Sequence, residues 1–422
     1  MSRRPTRRRV ITTAIATSAV AVLVAGCSGD TGGGGDEDVT IKVSLFGAAA
    51  EIKDLIAQYE DENPNVTVEV SAAANSEDAR TGLLTKMAAG SGLADIEMLE
   101  VSWIGELRQY ADKFVPVADD GYGGWVPAQA EPVTVDGTQF AYGIGLGPTA
   151  ICYRSDLLDA AGVPSDPEAV TAEVGGSWDE YFAAGEAYVD AGGGPWYDSS
   201  YMIYLAQVEQ LEFPYEDEDG NVVVDNPEVE RIFKDTLALA PKLSANLSPF
   251  SEDWNAGFGS GAFATVTCPS WLLTTIEGNS PDVTTWNIAN ALPGGGGNLG
   301  GSYLAVPTAS QHQEQAAALA SWLSAPEQQV ALFKAGSAFP SREEALTDPA
   351  LTDITSEYFN DAPVGEIFAD RSTAITTVTF KGPHFIAIDT AAWNAISRVE
   401  AGQQSIDDAW DQFVQESEAA AE

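Results

Sequence analysis

Between Thr40 and Val101 the chain changes hydrophobic period four times, and this constrains its fold more than any other feature. "TIKVSLF" (Thr40–Phe46) has the alternation of a half-buried strand, and Glu51–Glu62 then repeats Ile52, Leu55, Ile56 and Tyr59 at helical spacing. "NPNVTVEV" breaks that helix at Pro64 and alternates again. Ser76–Ala89 reads as a second helix and "ADIEMLEV" as a third strand. Strands and helices that alternate through short links predict a parallel sheet covered on both faces, so the expected class is α/β. "PVTVDGTQFAYG" predicts a hairpin around Asp136-Gly137. "PTAICYRSDLLDAAGV" predicts a strand running into a helix, and "GIGLGP" just before it reads as a strand end. A largely helical middle follows at Trp178–Val189, Ser199–Leu211 and Pro227–Leu239. Strands are then expected at "FATVTC", "WNIANAL" and "SYLAVP", and helices at Gln313–Leu323, Pro326–Lys334 and Ser405–Ser417.

The first residues address the chain rather than fold it. Arg3, Arg4, Arg7, Arg8 and Arg9 form a basic head, Val10–Val24 is uncharged and mostly apolar, and Ala25-Gly26 leads to Cys27. This is the pattern of an export signal over residues 1–26, too short for a membrane span of about 20 apolar residues. "VAGC" resembles a bacterial lipobox, which implies that Cys27 becomes the lipid-bearing first residue. "SGDTGGGGDED" has the composition of a flexible tether over residues 27–38. The arginine pairs fit either a general or a twin-arginine export route. No second long apolar segment occurs, so the expected location is the outer face of the cell membrane, held by lipid alone.

Loss of residues 1–26 removes five of the 20 basic residues and none of the 63 acidic ones, so the mature chain is more negative than the full chain's −43. Such a surface repels phosphate backbones and excludes nucleic acid as a partner. With Cys27 lipidated, Cys152 and Cys268 remain in an oxidising compartment, either bridged or as two buried thiols. His312 and His384 are the only histidines and no Cys/His cluster occurs, so neither a metal nor a cofactor is expected. "EDEDGN" (Glu216–Asn221) lacks the spaced glutamate of a calcium loop and reads as a hairpin turn.

The order of these elements resembles the family 1 extracellular solute-binding proteins of carbohydrate ABC importers. "ADIEMLEVSWIGEL", "DGTQFAYGIGLGPTAICYRSDLLDAAGV", "SWDEYFAAGEAY", "SGAFATVTCPSWLL" and "GGSYLAVPTASQHQEQAAALASWLSAPEQQ" are similar to successive family segments. "CYRSDLLDAAGVP", "CPSW", "PGGGGNLGGSYLAVP" and "NDAPVGEIFADR" look like the cellobiose-binding lipoproteins of Gram-positive bacteria. An aromatic pair expected near the Gly-Gly segment is replaced by Leu299 and Tyr303. The resemblance implies a two-lobed periplasmic-binding-protein-like fold with discontinuous lobes and a hinge. Residues 39–149 and 307–340 would form one lobe, and 150–306 and 341–422 the other. Crossings are expected near Pro148–Tyr153, Gly301–Pro307 and Ala338–Ser341. It implies a monomer that passes an oligosaccharide to permease subunits served by a cytoplasmic ATPase, and it puts Cys152 and Cys268 at strand ends in one lobe, where a disulfide is expected.

A neutral sugar asks for aromatic faces and planar hydrogen-bonding groups. Trp271 follows the "FATVT" strand at a strand-to-helix junction, where α/β lobes present side chains to a cleft. The resemblance aligns it with a sugar-stacking tryptophan. Trp103 and Glu100 lie at the end of the third strand. Trp196, Tyr197 and Asp198 follow "AGGGP" in what reads as a surface loop. Gly301, Ser302 and Tyr303 fall at an expected crossing, and His384 in "KGPHF" offers a donor to a hydroxyl. Trp178, Trp254, Trp286, Trp322 and Trp410 read as structural. These choices predict capture of cellobiose or a cello-oligosaccharide without catalysis. Xylobiose, chitobiose or maltose are the alternatives within the binding class, and a secreted glycoside hydrolase is the alternative outside it.

Overall fold

The structure, a computed structural model, describes residues 38–47 and 49–421. The export signal, Cys27 and the tether through Glu37 lie outside the described residues. Strand β1 (Val39–Leu45) buries every second residue, as its alternation requires. It pairs in parallel with β2 (Val66–Ala72) and β3 (Ile96–Glu100). Helices α1 (Ala49–Glu62) and α2 (Ser76–Ala89) make the crossovers between these strands. The stripe Ile52, Leu55, Ile56 and Tyr59 is buried in the core shared with β1. The expected parallel unit is therefore present over residues 39–100.

Beyond it the pairing changes sense. A short hairpin of β4 (Thr134–Val135) and β5 (Thr138–Gln139) turns at Asp136 and Gly137. Then β6 (Tyr142–Arg154) runs for 13 residues, all buried. Strands β7 (Thr265–Pro269), β8 (Trp286–Ala289) and β9 (Asn298–Ala305) complete the sheet, in the order β2-β1-β3-β9-β6-β7 with β8 also on β6. Every pairing made by β6 and β9 is antiparallel, unlike the parallel arrangement of the first unit. "GIGLGP" is not a strand end. It is the first half of β6, whose backbone is hydrogen-bonded on both edges there. Leu146 lies opposite Gly301 of β9 on one side and exchanges two bonds of 2.8 and 3.1 Å with Phe339 on the other.

Three stretches of chain thus lie side by side at Leu146, and the cores lie to either side of them. One core holds β1 to β3 with α1 and Leu319, Ala320 and Leu323. Three others fill the second half: one around Trp254, Phe258, Trp286 and Phe368, one among the helices that carry Phe233, Ile388 and Phe413, and one around Tyr181, Trp196 and Tyr197. The helix Pro326–Lys334 straddles the divide, with Leu332 in the first core and Val330 and Phe333 in the second. The architecture is α/β with two lobes joined through one continuous sheet.

Cys152 and Cys268 form a disulfide between neighbouring strands β6 and β7, with Cα atoms 5.4 Å apart. Ser177 and Glu180 of "SWDE" form a capping box at the start of helix Trp178–Asp190. "EDEDGN" closes through a bridge between Glu216 and Val222, with Asp217 accepting from the Asn221 amide. No helix among the described residues is long and apolar enough to cross a membrane.

Candidate ligand-binding cleft

The end of β3 passes through a single 3-10 turn, Val101–Trp103, into α3 (Ile104–Arg108). This corner and Ala128–Pro132 form the first lobe's side of a cleft. The second lobe supplies Glu209–Phe213, Asn298 and Thr377–Lys381. Two adjoining cavities share Pro132, Val378, Thr379 and Lys381, and the larger has a volume of about 160 Å³. Small-molecule pockets usually enclose about 300–1,000 Å³. A disaccharide can enter here only if the lobes part.

The lining is polar and partly prepaid. Lys381 Nζ donates to both carboxylate oxygens of Glu209, at 2.6 and 2.7 Å, and both residues are buried. The same ammonium lies 4.7 Å from the Phe385 ring centre. Thr379 Oγ donates to the Glu209 carbonyl at 2.9 Å, which ties the two strips of the second lobe together. Phe213 and Phe380, both half-buried, pair at 5.8 Å on the cavity wall. Opposite them Arg108 donates to the Pro132 carbonyl at 2.7 Å, and burial pulls its pKa down. Glu100 accepts from the amide and hydroxyl of Ser102; burial raises its pKa, and those two bonds only partly offset the rise. Gln129 donates to the Ser302 carbonyl at 2.9 Å, while its buried side-chain oxygen has no partner.

Of the residues expected from the sequence, Glu100, Gly301 and Ser302 come together, since Ser302 pairs with Glu100 across β3 and β9. Trp271 joins them from the second lobe. Its half-buried ring donates Nε1–H to the Leu299 carbonyl at 2.7 Å and lies over Gly300. Gly300 has φ +119°, and a side chain there would come within 3.0 Å of the indole nitrogen. Phe250 stacks beside Trp271 at 6.3 Å, is 58% exposed and has φ +65°, a backbone conformation costly for a bulky residue.

The others are placed elsewhere. Trp103 is buried against Phe46 at 5.2 Å, as the start of a helical corner packed on the first core. Tyr303 points into the interior with its hydroxyl unpartnered. Trp196, Tyr197 and Asp198 are a correction to the surface-loop reading, because all three are buried. Trp196 packs between Tyr181 and Tyr188, each at 5.5 Å, and Asp198 accepts from Trp254 Nε1 at 2.7 Å. No ring face is left there for a sugar. His384 begins the helix Phe385–Glu400, with its amide and Nδ1 held by the buried carboxylate of Glu216. Sequence reading missed Phe213, Phe380, Arg108, Glu209 and Lys381. For Phe213, Phe380 and Lys381 the only local signal is the proline inside "EFPY" and "FKGP", which interrupts helical periodicity; Arg108 and Glu209 carry none.

Two interior acids make stability depend on pH. Burial raises Asp198 to about 7 and Asp389 to about 6, the latter despite bonds from the Tyr201 and Tyr215 hydroxyls. In the unfolded chain both return to about 3.9. The folded state therefore binds more protons between about pH 4 and 7, and the stability contributed by these protons is lost as pH rises through the folded values. The melting temperature is expected to climb as pH falls from 8 to 5. Asp198→Asn should flatten that slope by at most about 1.4 kcal/mol per pH unit. Identical slopes for variant and parent, by thermal melts across that range, would refute the assignment.

A family model described as bacterial extracellular solute-binding protein matches residues 54–356. A crystal structure of an extracellular solute-binding protein of family 1 is 38% identical, covers 91% of this chain and all of its own, and superposes with a TM-score of 0.85. The sugar-binding protein MalE of Xanthomonas citri is 21% identical, with TM-score 0.74 over 91% of this chain and 97% of that one. The ABC transporter associated binding protein of B. animalis subsp. lactis Bl-04, solved with beta-1,6-galactobiose, is 20% identical, with TM-score 0.72 over 90% of this chain and 96% of that one. No curated protein sequence gives a significant match. With most of its length inside the family model and a 38% identical relative matched from end to end, the chain belongs to the bacterial extracellular solute-binding proteins.

Proposed function

We propose that this chain is the receptor of a carbohydrate ABC importer and captures a short neutral oligosaccharide between its lobes, with cellobiose or cello-oligosaccharides the first sugars to test. The observation that carries this reading is the cleft itself. Both lobes line it, Phe213 and Phe380 form an apolar wall, and hydrogen-bonding groups surround them. Glu209 is paired with Lys381, and Glu131, Glu212, Glu218 and Arg108 bring further planar hydrogen-bonding groups to the larger cavity. Such a lining suits sugar hydroxyls and repels an anionic solute. Solved relatives of the same fold hold maltose and beta-1,6-galactobiose. Those identities of 20% leave xylobiose, chitobiose and maltose as competitors for this site.

In this reading, residues 39–149 with 307–340 close on residues 150–306 with 341–422, and the closed form is what the permease subunits, served by a cytoplasmic ATPase, recognise. Cys27 carries the lipid that keeps the receptor, as a monomer, at the outer membrane face. The hydrolase alternative predicts shorter products from cello-oligosaccharides, and a receptor returns them intact.

A thermal-shift panel of cellobiose, cellotriose, xylobiose, chitobiose and maltose tests the reading, since a ligand bound only by the native state raises the melting temperature. At 100 times its Kd the true ligand should add about 2.7 kcal/mol of stability. No shift with any of the five, or cleavage of any of them, would defeat it. Trp271→Ala should weaken the binding so found by about 1–3 kcal/mol through loss of a stacking face. Trp271→Phe should recover much of that loss. Calorimetric titration that finds unchanged affinity in the alanine variant would remove Trp271 from the site.

A further inference from the structure

We propose that Gly105, which need not touch any ligand, sets the affinity of this receptor because its missing side chain lets the lobes close; the proposal rests on the functional reading above. Gly105 is the second residue of α3, between Ile104 and Leu107 of the first core. A methyl group built on it would lie 2.1 Å from the carbonyl oxygens of both Lys381 and Gly382, across the cleft. That is far inside van der Waals contact, and the atoms it meets are backbone.

The opposing surface cannot give way. Lys381 is anchored by its two bonds to Glu209. Gly382 lies against the Glu216 carboxylate, where its own methyl would come within 2.3 Å of Oε2. Glu216 is fully buried and accepts the His384 amide at 3.1 Å. Next to this contact Ile386, from the helix Phe385–Glu400, packs partly on the first core. Backbone therefore meets backbone where the lobes touch.

The local conformation of Gly105 does not require glycine. It is helical, and alanine is the better helix former. The requirement comes only from the opposite lobe, so substitution should penalise the closed form and spare the open one. Apparent affinity scales with the fraction of molecules able to close. Gly382 differs, because its neighbour Glu216 belongs to the same lobe and the clash would persist in the open form.

Gly105→Ala and Gly382→Ala, made in the full mature chain, separate these roles. Without sugar, Gly105→Ala should melt within a few degrees of wild type and Gly382→Ala well below it. Titrated with cellobiose and cellotriose, Gly105→Ala should bind on the order of 100-fold more weakly than wild type. Its radius of gyration by small-angle X-ray scattering should stay at the sugar-free value in excess sugar. A large fall in sugar-free melting temperature for Gly105→Ala would show a permanent contact and overturn the proposal. So would wild-type affinity in that variant. If wild type binds none of the panel sugars, the functional reading fails, and the sugar-free melts still decide whether the contact opens.

Discussion

Replacing Cys152 and Cys268 together by alanine is expected to lower the stability of the folded chain by about 4–5 kcal/mol. The bridge spans 116 residues, and in the chain-entropy model a loop of that length removes about that much freedom from the unfolded state. Both cysteines are buried in the core that also holds Trp254, Phe258 and Trp286, so the pair also contributes packing. The β6–β7 ladder that carries them runs through five register pairs and should survive in the variant. Loss of stability without loss of fold follows. Urea unfolding should show an earlier midpoint for the double variant and a steeper denaturant dependence, because an uncrosslinked unfolded chain exposes more surface. Oxidised and reduced wild type should differ in the same direction. Coincident midpoints would mean that the bridge adds nothing beyond the ladder.

The parts of this molecule legible from sequence are those whose signal is local. The alternation of β1 and the stripe of α1 each report one buried face, and both stand where expected. The Asp136-Gly137 hairpin is equally short in range. What failed needed contacts made outside the segment itself. "AGGGPWYD" has the composition of an exposed loop, yet Trp196 is enclosed by Tyr181 and Tyr188 of a preceding helix. The aromatic wall of the cleft arises only when Phe213 meets Phe380. Neither segment shows a period or motif to mark it. Lys381 could be read from sequence as a surface lysine; only the fold shows Glu209 waiting for it. The antiparallel β9 between β3 and β6 was hidden for the same reason, since "SYLAVP" predicts a strand without predicting its neighbours.

Arg342 is the extreme case, and removing it should cost about 3–5 kcal/mol. In "FPSREEA" it reads as one charge among several on a surface, but its side chain is completely buried. It donates to the Ser324 carbonyl at 3.0 Å, to the Gly123 carbonyl and to Asp120, and its guanidinium lies 3.4 Å from the Trp125 ring centre. Burial pulls its pKa down and Asp120 acts against that pull. The surrounding groups are tied to strand β6: Trp125 donates to the Gly143 carbonyl at 2.8 Å, and Gln329 binds that carbonyl and the Ser341 amide. Arg342→Met keeps much of the volume but leaves the Gly123 carbonyl without its donor and Asp120 without its counter-charge, held then only by the Ser321 hydroxyl and the Tyr122 amide, which is why the loss should exceed that of an exposed ion pair. Asp120→Asn alone should cost less, because arginine keeps its carbonyl partners and the ring. The double variant should be more stable than the sum of the single losses predicts, since Asp120 no longer has a charge to strand. Urea unfolding of the four proteins measures the coupling. Strict additivity would mean that the carbonyls and Trp125, rather than the ion pair, hold Arg342 in place.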